Sequence, residues 1–138
     1  MSVEENKENI RRHVEVFNTG DLSIVDELIA PNYIAQSPAG EAKGPDGFRQ
    51  VVVTMRSTFP DLHYTIDDMV AEGDWVAVRY TLTGTFTGEL GGIAPTGKKL
   101  TRTEAIFHRF EGGKQIEMFG YLDRLTAYQQ LGIPIPTE

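Results

Sequence analysis

The chain contains no cysteine. That excludes disulfides, thiolate metal ligands and a thiol nucleophile. Histidines number three, none paired at metal-ligand spacing, and H-E-x-x-H is absent, so no metal is expected. Also missing are G-x-S-x-G, G-x-G-x-x-G and G-x-x-x-x-G-K-[ST]. Their absence argues against a hydrolase nucleophile elbow and the phosphate-cradling loops of nucleotide enzymes. No apolar run approaches the ~20 residues of a membrane helix, and the opening stretch Met1-Ser2-Val3-Glu4-Glu5-Asn6 is too polar for a signal peptide. Basic residues are few: 13 Lys and Arg against 20 Asp and Glu give a net charge of −7. They are scattered, with only Arg11-Arg12 and Lys98-Lys99 adjacent, so a nucleic-acid partner is not expected. These absences together fit a cytoplasmic, cofactor-free protein.

What is present fits one globular domain spanning 1–138, with 40% hydrophobic and 24% charged residues. Three segments carry helical spacing. Ile10, His13, Val14 and Phe17 form one stripe; a second, short helix capped by Asp21 carries Leu22, Val25, Leu28 and Ile29 and stops at Pro31. The third follows Gly44-Pro45-Asp46-Gly47, with Phe48, Val51, Val52, Met55 and Phe59 in register. A short strand, Asn32 to Gln36, lies between the second and third helices. From Leu62 the period changes to two, and turn signals at Gly73-Asp74 and Gly112-Gly113 separate four long strands. Helices segregated from an antiparallel meander predict an α+β fold, a curved antiparallel sheet packed on three N-terminal helices.

Two residues stand out chemically. The strand from Trp75 to Phe86 has an aliphatic face (Val76, Val78, Tyr80, Leu82) and a mixed face carrying Trp75, Arg79 and three threonines. If the mixed face lines a cavity, Trp75 is an apolar wall and Arg79 a fixed cation. If it faces solvent, Arg79 is a surface ion pair. Asp123 ends the last strand in phase with Glu117, Phe119 and Tyr121. Set against aromatic walls, its carboxyl would have a raised pKa; alternatively it is the N-cap of a helical turn from Leu125. His13, on an apolar helix stripe, reads as a satisfied core residue, and the roles of His63 and His108 stay open.

The sequence resembles the SnoaL-like polyketide cyclases (ester cyclases) of the nuclear-transport-factor-2-like superfamily. The likeness runs through Phe17-Asn18-Thr19-Gly20-Asp21, Phe59-Pro60-Asp61, Val70-Ala71-Glu72-Gly73-Asp74-Trp75 and Gly84-Thr85-Phe86-Thr87-Gly88-Glu89. It continues through Ala94-Pro95-Thr96-Gly97-Lys98, Arg109-Phe110-Glu111-Gly112-Gly113-Lys114, Glu117-Met118-Phe119 and Gln130-Leu131-Gly132. It implies a cone-shaped α+β barrel, a homodimer through the outer sheet face, and cofactor-independent intramolecular aldol closure of a small apolar ester. The alternatives are isomerisation, hydration or cofactorless hydroxylation in the same cup, or a non-catalytic binding or dimerisation module. The resemblance puts Asp123 in the acid/base role, with Gln36, Trp75, Arg79, Phe107, Arg109, Phe119 and Tyr121 expected to bind substrate. Gln36, Phe86, Met118 and Phe119 replace three histidines and a tryptophan common in the family, which makes the pocket less basic.

Overall fold

In the computed structural model, which describes residues 2–135, four helices and six strands follow the order α1 (Val3–Thr19), α2 (Val25–Leu28), β1 (Ile29–Ser37), β2 (Gly40–Lys43), α3 (Gly44–Thr58), β3 (His63–Glu72), β4 (Trp75–Thr85), β5 (Lys99–Glu111), β6 (Lys114–Leu122) and α4 (Arg124–Leu131). A capping box starts α1: Ser2 accepts from the Glu5 amide while the Glu5 side chain reaches back to the Ser2 amide. Gly20, at φ 77°, ends it in the left-handed conformation that costs a residue with a Cβ dearly. No described helix is long and apolar enough to cross a membrane.

The strands form one sheet in the order β2-β1-β6-β5-β4-β3. The meander β3–β6 is antiparallel as its alternation predicts, with Glu72 opposite Trp75 at one tight turn and Glu111 opposite Lys114 at another. Three expectations need correction. β1 runs parallel to β6, so the sheet is not purely antiparallel, and the short β2 pairs with β1. α2 ends at Leu28, before Pro31, because Ile29 already has extended dihedrals. Pro31 instead sits in the irregular stretch between Ile29 and Ile34, where the β1–β6 register shifts and a missing N–H is tolerated. Asp21 does not cap α2; it accepts from the Ser23 amide within the preceding turn.

Register shifts at Ile66/Asp68 in β3 and Arg109/Phe110 in β5 bend the sheet around α1 and α3. The alternation of β4 then decides what lies inside. Val76, Val78, Tyr80 and Leu82 are all at most 3% exposed and face the helices. Trp75 and Arg79 therefore lie on the outer face, the reverse of a mixed face turned to the cavity. The physical reason is area: α1 and α3 offer an apolar surface, and the uniformly aliphatic face of β4 buries more against it.

Candidate active site

Between the concave side of the sheet and α1, α3 and α4 lies a cavity of about 720 Å³, within the range of small-molecule sites. Its walls are mostly apolar, with Phe17 from α1, Phe48 and Met55 from α3, Ile106 from β5 and Met118 from β6. Tyr128 closes one side from α4, and Leu90, in the connection between β4 and β5, another.

Glu41, Lys43 and Arg124 also line this space, and deeper in it β3 and β5 set a charged cluster. Arg102 and Glu104 are two apart on β5 and therefore share its inner face. The Arg102 guanidinium donates to Glu104 Oε2 from Nη2 at 2.6 Å and from Nε at 3.0 Å. Tyr64 of β3 reaches across β4, and its hydroxyl lies 3.2 and 3.3 Å from the two Glu104 oxygens. Glu104 is only 4% exposed. Burial alone would lower the Arg102 pKa, but Glu104 and then Tyr64 outweigh it and hold the guanidinium firmly protonated. The Tyr64 phenol is pushed up first by burial and then by the Glu104 charge. A buried ion pair of this kind is weak evidence for stability and a better marker of function.

A second, uncharged network crosses the core beside it. Gln115 of β6 links Asn9 and His13 of α1 to His108 of β5: its Nε2 is 2.9 Å from Asn9 Oδ1 and 3.0 Å from His13 Nδ1, and its Oε1 is 3.1 Å from His108 Nδ1. His108 Nε2 lies 2.9 Å from the Tyr80 hydroxyl. Burial pushes the His108 imidazole down to about 4, slightly countered by Gln115. Burial, then the neighbouring His108, holds His13 well below the usual range. Both rings are neutral at physiological pH.

The residues expected from sequence to form the site go elsewhere. Trp75, Phe107, Phe119 and Tyr121 do come together, but on the outer face, around a shallow concavity of about 610 Å³. The Trp75 and Phe119 rings stack there, centroids 6.2 Å apart. Arg79 shares that face and donates to Asp68 Oδ2 at 2.6 and 2.8 Å, so it is the surface ion pair. Arg109 lies beside Glu117 at 3.1 Å, and Gln36 is exposed. Asp123 caps α4: Oδ1 accepts from the Thr126 amide at 3.0 Å and Oδ2 from its hydroxyl at 2.5 Å. The Thr126 hydroxyl first and its amide second hold the Asp123 carboxyl below its ordinary pKa instead of raising it. β6 stops at Leu122, so Asp123 leaves the sheet and lies outside the cavity wall. Sequence reasoning missed Tyr64, Arg102 and Glu104. The signal was present: Arg102 and Glu104 are in phase with Leu100, Ile106, His108 and Phe110, two charges on a mostly apolar face.

The chain matches the family described as SnoaL-like polyketide cyclase over residues 7–131. It is 31% identical over 132 residues to the aklanonic acid methyl ester cyclase DnrD of Streptomyces peucetius, covering 93% of this chain and 91% of that protein. Among solved structures it is similar to IdmH of Streptomyces antibioticus, a candidate polyketide cyclase, with a TM-score of 0.81, 33% identity, and 93% and 99% of the two chains covered. It is also similar to AclR of Streptomyces galilaeus, a candidate hydroxylase, with a TM-score of 0.82, 28% identity, and 99% and 87% covered.

Proposed function

The chain belongs to the SnoaL-like polyketide cyclase family, and from that premise we propose that it closes a ring in a small, largely apolar polyketide ester by intramolecular aldol addition. The observation that carries this reading is the buried Arg102–Glu104–Tyr64 cluster in an apolar cavity of ligand size. The reaction is redox-neutral and asks only for proton movements: one proton leaves a methylene flanked by carbonyls, a carbon–carbon bond forms, and the new alkoxide takes a proton. Glu104 is the base within the cavity, and Arg102 stabilises the enolate where little water screens its charge. Asp123 then serves as a positioning residue, fixing the start of the helix that brings Tyr128 to the cavity.

The outer face has a separate role in this proposal: it seats a second copy of the chain. Val70, Trp75, Phe107 and Tyr121 are 67, 39, 46 and 62% exposed, an apolar patch larger than scattered surface residues would make. Arg79 and Arg109 are paired with Asp68 and Glu117 of the same chain, so docking strands neither of these cations.

The test is to incubate the purified chain with β-keto esters, beginning with aklanonic acid methyl ester, and follow the product by mass and chromatography. Ring closure gives an isomer of unchanged mass. Glu104→Gln is expected to slow it by about 10²–10⁴-fold, while Asp123→Asn leaves turnover within about threefold. No closure above buffer, or an unaffected Glu104→Gln variant, would sink the proposal. The likeness to AclR favours a second reading, hydroxylation in the same cavity, and that product is heavier by one oxygen.

A further inference from the structure

The polarity of the Gln115 network can be read from its anchored end. Asn9 Nδ2 lies 3.0 Å from the Leu28 carbonyl and 3.1 Å from the Gly113 carbonyl. Carbonyl oxygens only accept, so this atom is the amide nitrogen and Oδ1 of Asn9 faces Gln115. Gln115 must then present its own NH₂ to Asn9 Oδ1, which orients the whole amide. Its second N–H points at His13 Nδ1, which is therefore the unprotonated nitrogen. At the other end, Gln115 Oε1 accepts from His108 Nδ1–H, and the bare His108 Nε2 accepts from the Tyr80 hydroxyl. Every donor between Asn9 and Tyr80 in this network then meets an acceptor except one on His13, and no other orientation of the two amides achieves this.

One proton is left over. His13 carries its hydrogen on Nε2, which has no protein acceptor among the described residues, and the ring lines the cavity while only 8% exposed. Phe17 stacks on it at 5.2 Å and Phe48 meets it edge-on at 5.0 Å, so the ring cannot turn freely. We propose that His13 Nε2–H is a fixed, neutral hydrogen-bond donor for a carbonyl or enolate oxygen of the cavity ligand, its tautomer set by Gln115. A donor of this sort favours ligands that present an acceptor-only oxygen towards α1 over those presenting a hydroxyl hydrogen. Its role is to bind and polarise that oxygen while charge gathers on it, and being held in place it needs no reorganisation as the reaction proceeds. The assignment deepens the cyclase reading and rests on it for the identity of the ligand, but not for the tautomer.

Long-range nitrogen–proton NMR of the full chain at pH 7 tests it directly. The expected spectrum has His13 protonated on Nε2 and His108 on Nδ1. His13 protonated on Nδ1, or as imidazolium, overturns the proposal. In Gln115→Glu the carboxylate can only accept, so the His13 proton is expected to move to Nδ1 or a second proton to be bound. Should that variant fail to fold, the wild-type spectrum still decides the tautomer. In the wild type, millimolar 1-tetralone, an apolar ketone, is expected to shift the His13 Nε2–H signal. An unmoved signal, whether or not the ketone enters the cavity, overturns the donor site. Turnover of the ester is scored separately, so a failed cyclase and a failed donor give different results.

Discussion

At the scale of single residues, this core stores unusual polarity. His13, His108, Gln115 and Asn9 are all buried in one network, and the two imidazoles are kept neutral mainly by loss of water. The consequence for stability has a definite sign. His108 protonates near pH 4 when folded and near ~6.5 when unfolded. Between those values the unfolded chain binds a proton that the folded chain does not, so stability is full above ~6.5 and is lost as pH falls towards 4. The loss from His108 is about 3 kcal/mol, and His13 acts in the same direction. The carboxylates of Asp21, Asp61 and Asp123 have pKa values lowered from 3.8, so their stabilisation is lost only at more acid pH. Urea unfolding between pH 7.5 and 4.5 should show a plateau down to about pH 6.5 and a steady fall below it, and a profile flat throughout would contradict neutral burial of the two rings. In the sequence, His13 read as a core residue. It is one, but its unpartnered nitrogen depends on Gln115, which is distant in the chain.

At the scale of elements, the strand faces were legible from alternation alone, since period two fixes which residues share a side. Which side turns inward was not, because that depends on what the other elements offer. The connection between β4 and β5 shows a tighter constraint. Thr58 at the end of α3 accepts through its carbonyl from the amides of Thr87 and Gly88, and its hydroxyl donates to the Glu89 carbonyl. A Cβ on Gly88 would sit 1.8 Å from the Ser57 carbonyl oxygen. Gly88→Ala must therefore push the connection off α3 and with it Leu90, which lines the cavity. A loss of about 1–3 kcal/mol is expected in urea unfolding. A variant as stable as the parent would show that this docking is loose.

For the whole molecule, the curved sheet divides two tasks between its faces: the concave side encloses the polar cluster, and the convex side carries the apolar patch. If a second copy covers that patch, Phe107→Lys should convert dimer to monomer in light scattering without unfolding the chain, since Phe107 points away from the core. A wild type that is monomeric at micromolar concentration would refute the pairing. The sequence by itself determined the α+β class, the meander and the family, because periodicity, turn residues and ordered motifs are local and survive without coordinates. It also named Trp75, Phe107, Phe119 and Tyr121 together, as substrate-binding residues, and these four do lie side by side. Only the tertiary structure decided that this group lies outside, that Asp123 caps a helix, and that Tyr64, Arg102 and Glu104 meet within. A side chain's surroundings come from distant segments packing together, and one turn of a strand face exchanges cavity for solvent at every residue on it.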